Sequence, residues 1–130
     1  MTAQQLKGSV TADTALVTVA ETVVATLSGV STGRAVNVQV RGWAQLTTGT
    51  NTTAVVPRIR RGTTISGTLI GEANPVTIGA AAGTTEDFEV DVVDTGADLA
   101  GASYVLTLQQ VGATANGSCL QATVEAFIPE

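Results

Sequence analysis

The stretch VVPRIRRGTTI, Val55 to Ile65, sets Arg58, Arg60 and Arg61 within four positions, three of the chain's six basic residues. Guanidinium groups packed this closely suit two kinds of chemistry. They can capture phosphate oxygens, or they can fork onto carboxylates of their own protein. The first makes a nucleic-acid partner and the second a structural module. The charge balance favours the second. The net charge is −5, the only lysine is the distant Lys7, and Trp43 is the sole nearby aromatic candidate for base stacking. A nucleic-acid binder needs a basic face, so no nucleic acid is expected as a partner.

Other chemistry is thin. There is no histidine, which removes the commonest general base and metal ligand and rules out any Ser-His-Asp or Cys-His arrangement. The single cysteine, Cys119, excludes an internal disulfide and a cysteine-only metal site. The run DTGAD, Asp94 to Asp98, groups oxygen donors as a calcium loop does, but it lacks the EF-hand spacing and reads as a turn. As a glycosidase pair, Asp94 and Asp98 want an aromatic substrate platform, and the chain has only one Trp, one Tyr and two Phe. The expectation is a protein that is not an enzyme, with no catalytic residue, cofactor or metal.

The elements that carry these residues are strands. Runs rich in Val, Thr, Ile and Leu alternate with Gly, Asn and polar clusters about every ten residues, the spacing of an all-β sandwich or barrel. With 130 residues there is one domain. Strands are expected at Ala15–Val19, Thr22–Leu27, Arg34–Leu46, Thr53–Arg61, Ile65–Ile70, a short NPVTI piece, Glu86–Val93, Ser103–Val111 and Ser118–Ile128. Residues 1–12 are polar and aperiodic and read as an extended N-terminal arm; residues 13–130 form the domain. The fold class is all-β, a two-sheet jelly-roll β-sandwich of about eight strands. No apolar run reaches the ~18 residues of a membrane helix, and MTAQQLKGSV has no apolar h-region, so no secretory signal is expected.

Alternation assigns faces. In Arg34–Leu46, Val36, Val38, Val40, Ala44 and Leu46 share the core side, while Asn37, Gln39, Arg41, Trp43 and Gln45 share the other. Gly42 marks a bulge or a close backbone approach. Pro57, which cannot donate to a ladder, puts its strand at an edge or a bulge. In Glu86–Val93, Phe88, Val90 and Val92 oppose Asp87, Glu89 and Asp91. This mirrors Arg58 and Arg60, and the expectation is that the two strands are neighbours whose charges pair. In Ser118–Ile128, Leu120, Val124 and Ile128 are placed inward, and Cys119, Gln121, Thr123, Glu125 and Phe127 outward. Trp43 and Phe127 therefore stand on polar outer faces, which marks a contact surface. Arg41, Trp43, Phe127, Arg58 and Arg60 are the interface candidates.

The runs VNVQVRGWAQLTTGTNTTAVVPRIRRG, DFEVDV and SYVLTLQQVGATANGSCLQATVEA resemble the small jelly-roll modules of tailed-bacteriophage particles, capsid decoration (cement) proteins with a tumour-necrosis-factor-like sandwich. The resemblance spans about residues 14 to 128. It implies a structural virion protein that trimerises and binds the outer surface of a capsid. The partner would be the major capsid protein, and the protein would be made in the host cytoplasm. It also implies that the arm grips the shell, with Gln4, Gln5, Leu6 and Lys7 as its contact residues. The alternative is a fibre or tail-tip module that binds a host receptor or glycan.

Overall fold

Strong β propensity and period-two patterning produce a chain of strands. The computed structural model describes residues 4–7, 11–15, 20–31, 37–47, 53–78, 85–95, 100–111 and 117–128. Ten strands lie within them: β1 (Gln4–Lys7), β2 (Thr11–Ala15), β3 (Glu21–Ser31), β4 (Val38–Thr47), β5 (Thr53–Arg61), β6 (Thr68–Glu72), β7 (Val76–Ile78), β8 (Thr85–Asp94), β9 (Ala100–Val111) and β10 (Ser118–Ile128).

They form two antiparallel sheets. The first runs β1-β10-β4-β8, with β2 also paired to β10; the second runs β3-β9-β5-β6, with β7 also paired to β5. β1 and β2 share one edge of β10, since Lys7 lies opposite Glu125 and Thr11 opposite Ala122. β6 and β7 likewise share one edge of β5. Counted this way, each sheet is four strands wide, and the chain crosses between the sheets at every step except β5 to β6 and β7, which stay in one sheet; this is the double-sheet jelly roll. The stretch read as an N-terminal arm, residues 1–12, is extended where it is described, and there it is hydrogen-bonded along β10. The strand expected at Ala15–Val19 is seen as Thr11–Ala15, and residues 16–19 lie outside the described set.

Pro57 sits on an interior strand, opposite Leu108 of β9. Its carbonyl accepts from the Ala73 amide at 3.0 Å. The N and C=O of one strand residue point the same way, so its missing donor faces the break between β6 and β7 and no ladder bond is lost. The strand expected at Ile65–Ile70 is displaced to Thr68–Glu72. Gly62, at φ 139°, opens a turn there, and its N–H donates to Ser103 O at 2.8 Å. Ile65 falls in that turn and is exposed.

The core lies between the sheets. Val38, Val40, Ala44 and Leu46 of β4, with Val124 and Ile128 of β10, meet Ile59 of β5 and Tyr104, Leu106 and Leu108 of β9. Each large aliphatic side chain so buried contributes roughly 1.5–3 kcal/mol. Gly42 is a close approach, with register unbroken on both sides. A Cβ there would stand 2.8 Å from Leu106 Cδ1 and 3.1 Å from both Ile59 Cδ1 and Val90 Cγ1. One assigned face changes. The β10–β4 register slips between Cys119 and Gln121, making Leu120 an extra residue. The bulge reverses the alternation before it. Cys119, expected outward, is buried opposite Leu46, and Leu120, expected inward, is only half-buried.

Candidate functional site

Three charged clusters hold the residues that the sequence singles out. The first covers the outer face of the β3-β9-β5-β6 sheet. Arg58 lies opposite Thr107 of β9 and Glu72 of β6, and Glu21 lies opposite Gln109. These registers place both arginines around one carboxylate. Arg60 Nε and Nη2 donate to the Glu21 carboxylate at 2.6 and 2.9 Å. Arg58 Nη1 reaches Glu21 at 3.3 Å and Gln109 Oε1 at 2.5 Å. Thr107 Oγ1 adds a fourth donor to Glu21 at 2.7 Å. Arg58 Nε donates to Glu72 at 2.7 Å, and Arg60 Nη1 to the Gly67 carbonyl at 3.0 Å. The side chains of Glu21, Arg58 and Arg60 are only 12%, 17% and 18% exposed. The Arg60 hydrogen bond holds the Glu21 carboxyl below the usual carboxylate range, against the opposing effect of burial, and Glu21 in turn raises Arg60.

The arginine motif is therefore tied into its own sheet, and its donors are largely taken. The expected partner strand is corrected. β5 and β8 lie in different sheets, so Arg58 and Arg60 pair with Glu21 and Glu72 rather than with Asp87, Glu89 and Asp91. Alternation fixes which side a residue faces but not which strand lies beside it.

The second cluster joins the sheets. Arg61, the last residue of β5, sends Nε and Nη2 onto the Asp94 carboxylate at 2.7 and 2.5 Å, and Tyr104 OH donates to Asp94 Oδ2 at 2.8 Å. Asp94 is 1% exposed and Tyr104 0%. Arg61 is raised by its hydrogen bond to Asp94. Tyr104 is driven well above the ordinary phenol value, first by burial and then by the hydrogen bond and charge of Asp94. Asp94 opens the run DTGAD, whose oxygen donors resemble a calcium loop in the sequence. Its oxygens instead serve this clasp, and residues 96–99, including Asp98, lie outside the described set. Among the described residues no group of three acidic or sulfur-bearing side chains is placed to hold a metal ion.

The third cluster is the outer face of the β1-β10-β4-β8 sheet. Arg41 Nε stands 2.8 Å from Glu89 Oε1 and 3.0 Å from Asp91 Oδ1, and its guanidinium carbon lies 5.4 Å from the Phe127 ring centroid. The hydrogen bond with Asp91 raises the Arg41 pKa. Trp43 lies opposite Thr123 on one side and Glu89 on the other, and both Trp43 and Phe127 are half-buried. Arg41, Trp43 and Phe127 thus share one face, while Arg58 and Arg60 lie on the opposite sheet. Gln4, Gln5, Leu6 and Lys7 form β1, opposite Ile128, Phe127, Ala126 and Glu125.

Sequence reasoning missed Glu21, Thr107 and Gln109, because nothing local links the start of β3 to β5. It also missed the partners of Tyr104. A tyrosine assigned to the core needs a partner for its hydroxyl, and that was the available signal for the clasp.

No family model matches the sequence, and no curated protein matches it. A chain in the structure of infectious bursal disease virus, Gx strain, aligns over 98% of this chain with a TM-score of 0.53 at 9% identity. This chain spans about a third of that one, 32%. A chain of the Bacillus endospore appendages, described as disulfide-linked pili, aligns over 99% of this chain and 90% of that chain, with a TM-score of 0.43 at 16% identity. The viral likeness is one of fold.

Proposed function

We propose that this chain is a structural, non-enzymatic virion protein. It decorates the outer surface of a tailed-phage capsid as a homo-oligomer, a trimer, bound to the major capsid protein after synthesis in the host cytoplasm. The observation that carries this reading is the outer face of the β1-β10-β4-β8 sheet. There two of the chain's four aromatic side chains, Trp43 and Phe127, stand half-buried around Arg41. Aromatic and arginine side chains on a strand face are the common anchors of protein interfaces. Support also comes from the jelly-roll fold and from its likeness to a chain of a virus structure. Charged groups on the other sheet are turned onto one another, which suits a stable scaffold more than a reactive one.

The test is co-sedimentation of the purified chain with preformed shells, together with light scattering for the oligomer number. Stoichiometric binding and a trimer mass are expected, with both weakened at least about tenfold in W43A/F127A, as anchor residues are. Deleting residues 1–12 is a poor test of an arm contact, because it unpairs β10. A monomer that ignores shells but is retained by host cells or glycans would overturn the proposal in favour of a fibre-tip module.

A further inference from the structure

Among the described strands, three of the four sheet edges are interrupted. β1 and β2 divide one, β6 and β7 divide another, and β3 shifts register at three points. The fourth edge, β8, pairs with β4 through ten consecutive residues without a shift. No described strand pairs with its other side. An unbroken edge offers backbone N–H and C=O groups that a further strand can take.

The side chains of β8 are sorted by face. Asp87, Glu89 and Asp91 are exposed on the outer face, while Phe88 and Val90 are buried and Val92 is half-buried toward the other sheet. The neighbour on the paired side shows how this acidic ladder takes a base. Arg41 of β4 sets one guanidinium between Glu89 and Asp91, within 2.8 and 3.0 Å. A strand added to this edge would stand at the same inter-strand spacing, about 4.8 Å, and would meet the same acids from the opposite side.

The geometry points to β8 as a docking edge for an extended segment of a partner protein in which basic and aliphatic residues alternate. The basic side chains lie opposite Asp87, Glu89 and Asp91. The aliphatic ones lie beside Phe88, Val90 and Val92 and extend the core layer. A second copy of this chain has the wrong chemistry for the role. Its edge strands β3 and β6 bring Glu21 and Glu72 and no arginine, β8 is itself acidic, and β1 brings a single lysine. Arg41, Arg58, Arg60 and Arg61 all lie on the interior strands β4 and β5. This inference goes beyond the shell-binding proposal and does not depend on it.

The probe is a synthetic ten-residue peptide of alternating arginine and valine, titrated into the full isotope-labelled chain and followed by amide shifts and hydrogen exchange. Shifts and slowed exchange are expected to concentrate in Thr85–Asp94. D87N, E89Q and D91N should each weaken binding by about two- to fivefold, the scale of one cross-strand charge pair. The same peptide N-methylated along its backbone should not bind, and added salt should weaken the parent peptide. Three results would overturn the inference. One is equal binding by the N-methylated peptide or by a block of arginines followed by valines, which would mean charge attraction alone. Another is protection at β3 or β6 in place of β8. The last is no response at about 1 mM peptide.

Discussion

Replacing Asp94 with asparagine tests whether the clasp between the sheets stabilises the fold. The side chain is 1% exposed and receives three donors, two from Arg61 and one from Tyr104. Asparagine keeps the shape but removes the charge. It also turns one acceptor oxygen into an NH2 that faces the donors of Arg61 or Tyr104. Hydrogen bonds to a charged group contribute about 1.5–3 kcal/mol each, and breaking a buried ion pair on one side costs about 3–5 kcal/mol. Arg61 is 29% exposed, so water recovers part of that loss. The expected destabilisation is about 3 kcal/mol, near the low end of the range for a buried pair.

Urea unfolding at fixed protein concentration, followed by the fluorescence of the single tryptophan, Trp43, measures this directly. Tyr104→Phe, which removes one donor to the charged carboxylate and leaves the ring, should lose about 1.5–3 kcal/mol. D94N/R61M should lose clearly less than the sum of its single variants, because it no longer leaves an unmatched guanidinium. A loss below about 1 kcal/mol in D94N with an unchanged urea slope would refute the reasoning, since the clasp would then be no better than contacts with water.

Gly42→Ala should lose about 1–3 kcal/mol, because its methyl enters the space of Leu106, Ile59 and Val90; unchanged urea unfolding would contradict the close approach. The Glu21 carboxyl titrates below its ordinary 4.5, so its ion pairs contribute fully above that pH and are lost as pH falls through the lowered value. E21Q should accordingly destabilise most at about pH 7, and its gap from the parent should close as pH falls through the lowered value, as unfolding midpoints across the acid range will show. Burial pushes the Cys119 thiol from 9.0 up to about 11. Native protein should therefore react with a thiol reagent at least about 100-fold more slowly than protein in urea, and equal rates would place the thiol at the surface. Cys119 and Tyr104 both keep protons in the fold that the unfolded chain releases, so stability should fall as pH rises from about 9, and alkaline urea midpoints check the sign.

The strands that could be read from sequence are those bounded by turn residues and patterned by one buried face. β5 and β10 run from Thr53 to Arg61 and from Ser118 to Ile128 as expected. Alternation placed Arg41 and Trp43 outward and Val40 and Ala44 inward, and β4 follows that pattern throughout. It could not place Cys119. A bulge adds one residue without any change in residue type, and every side chain before it then reverses. Nor could it pair Arg58 with Glu21, 37 residues away. Sheet order is set by which faces close the core together, and that information is spread over the whole chain.

The two outer faces divide the charge unequally, and the division follows from sheet order. On the β3-β9-β5-β6 sheet, Arg58 and Arg60 meet Glu21 and Glu72, so two positive groups balance two negative ones. On the β1-β10-β4-β8 sheet, Arg41 meets Glu89 and Asp91, and the registers put Asp87 and Glu125 on the same face, with Lys7 opposite Glu125. Had β5 lain beside β8, its arginines would have offset the acidic strand and left Glu21 and Glu72 unmatched on the other face. Because the strands fall in opposite sheets, one face is internally neutral and the other keeps a surplus of acid around its two aromatic side chains. A surplus of one sign steers partners of the other sign and resists like surfaces. Contacts through the acidic face therefore strengthen as salt falls when the partner is basic and weaken when the partner is a second copy of the same face. Binding measured across ionic strength separates these two cases without knowledge of the partner's identity.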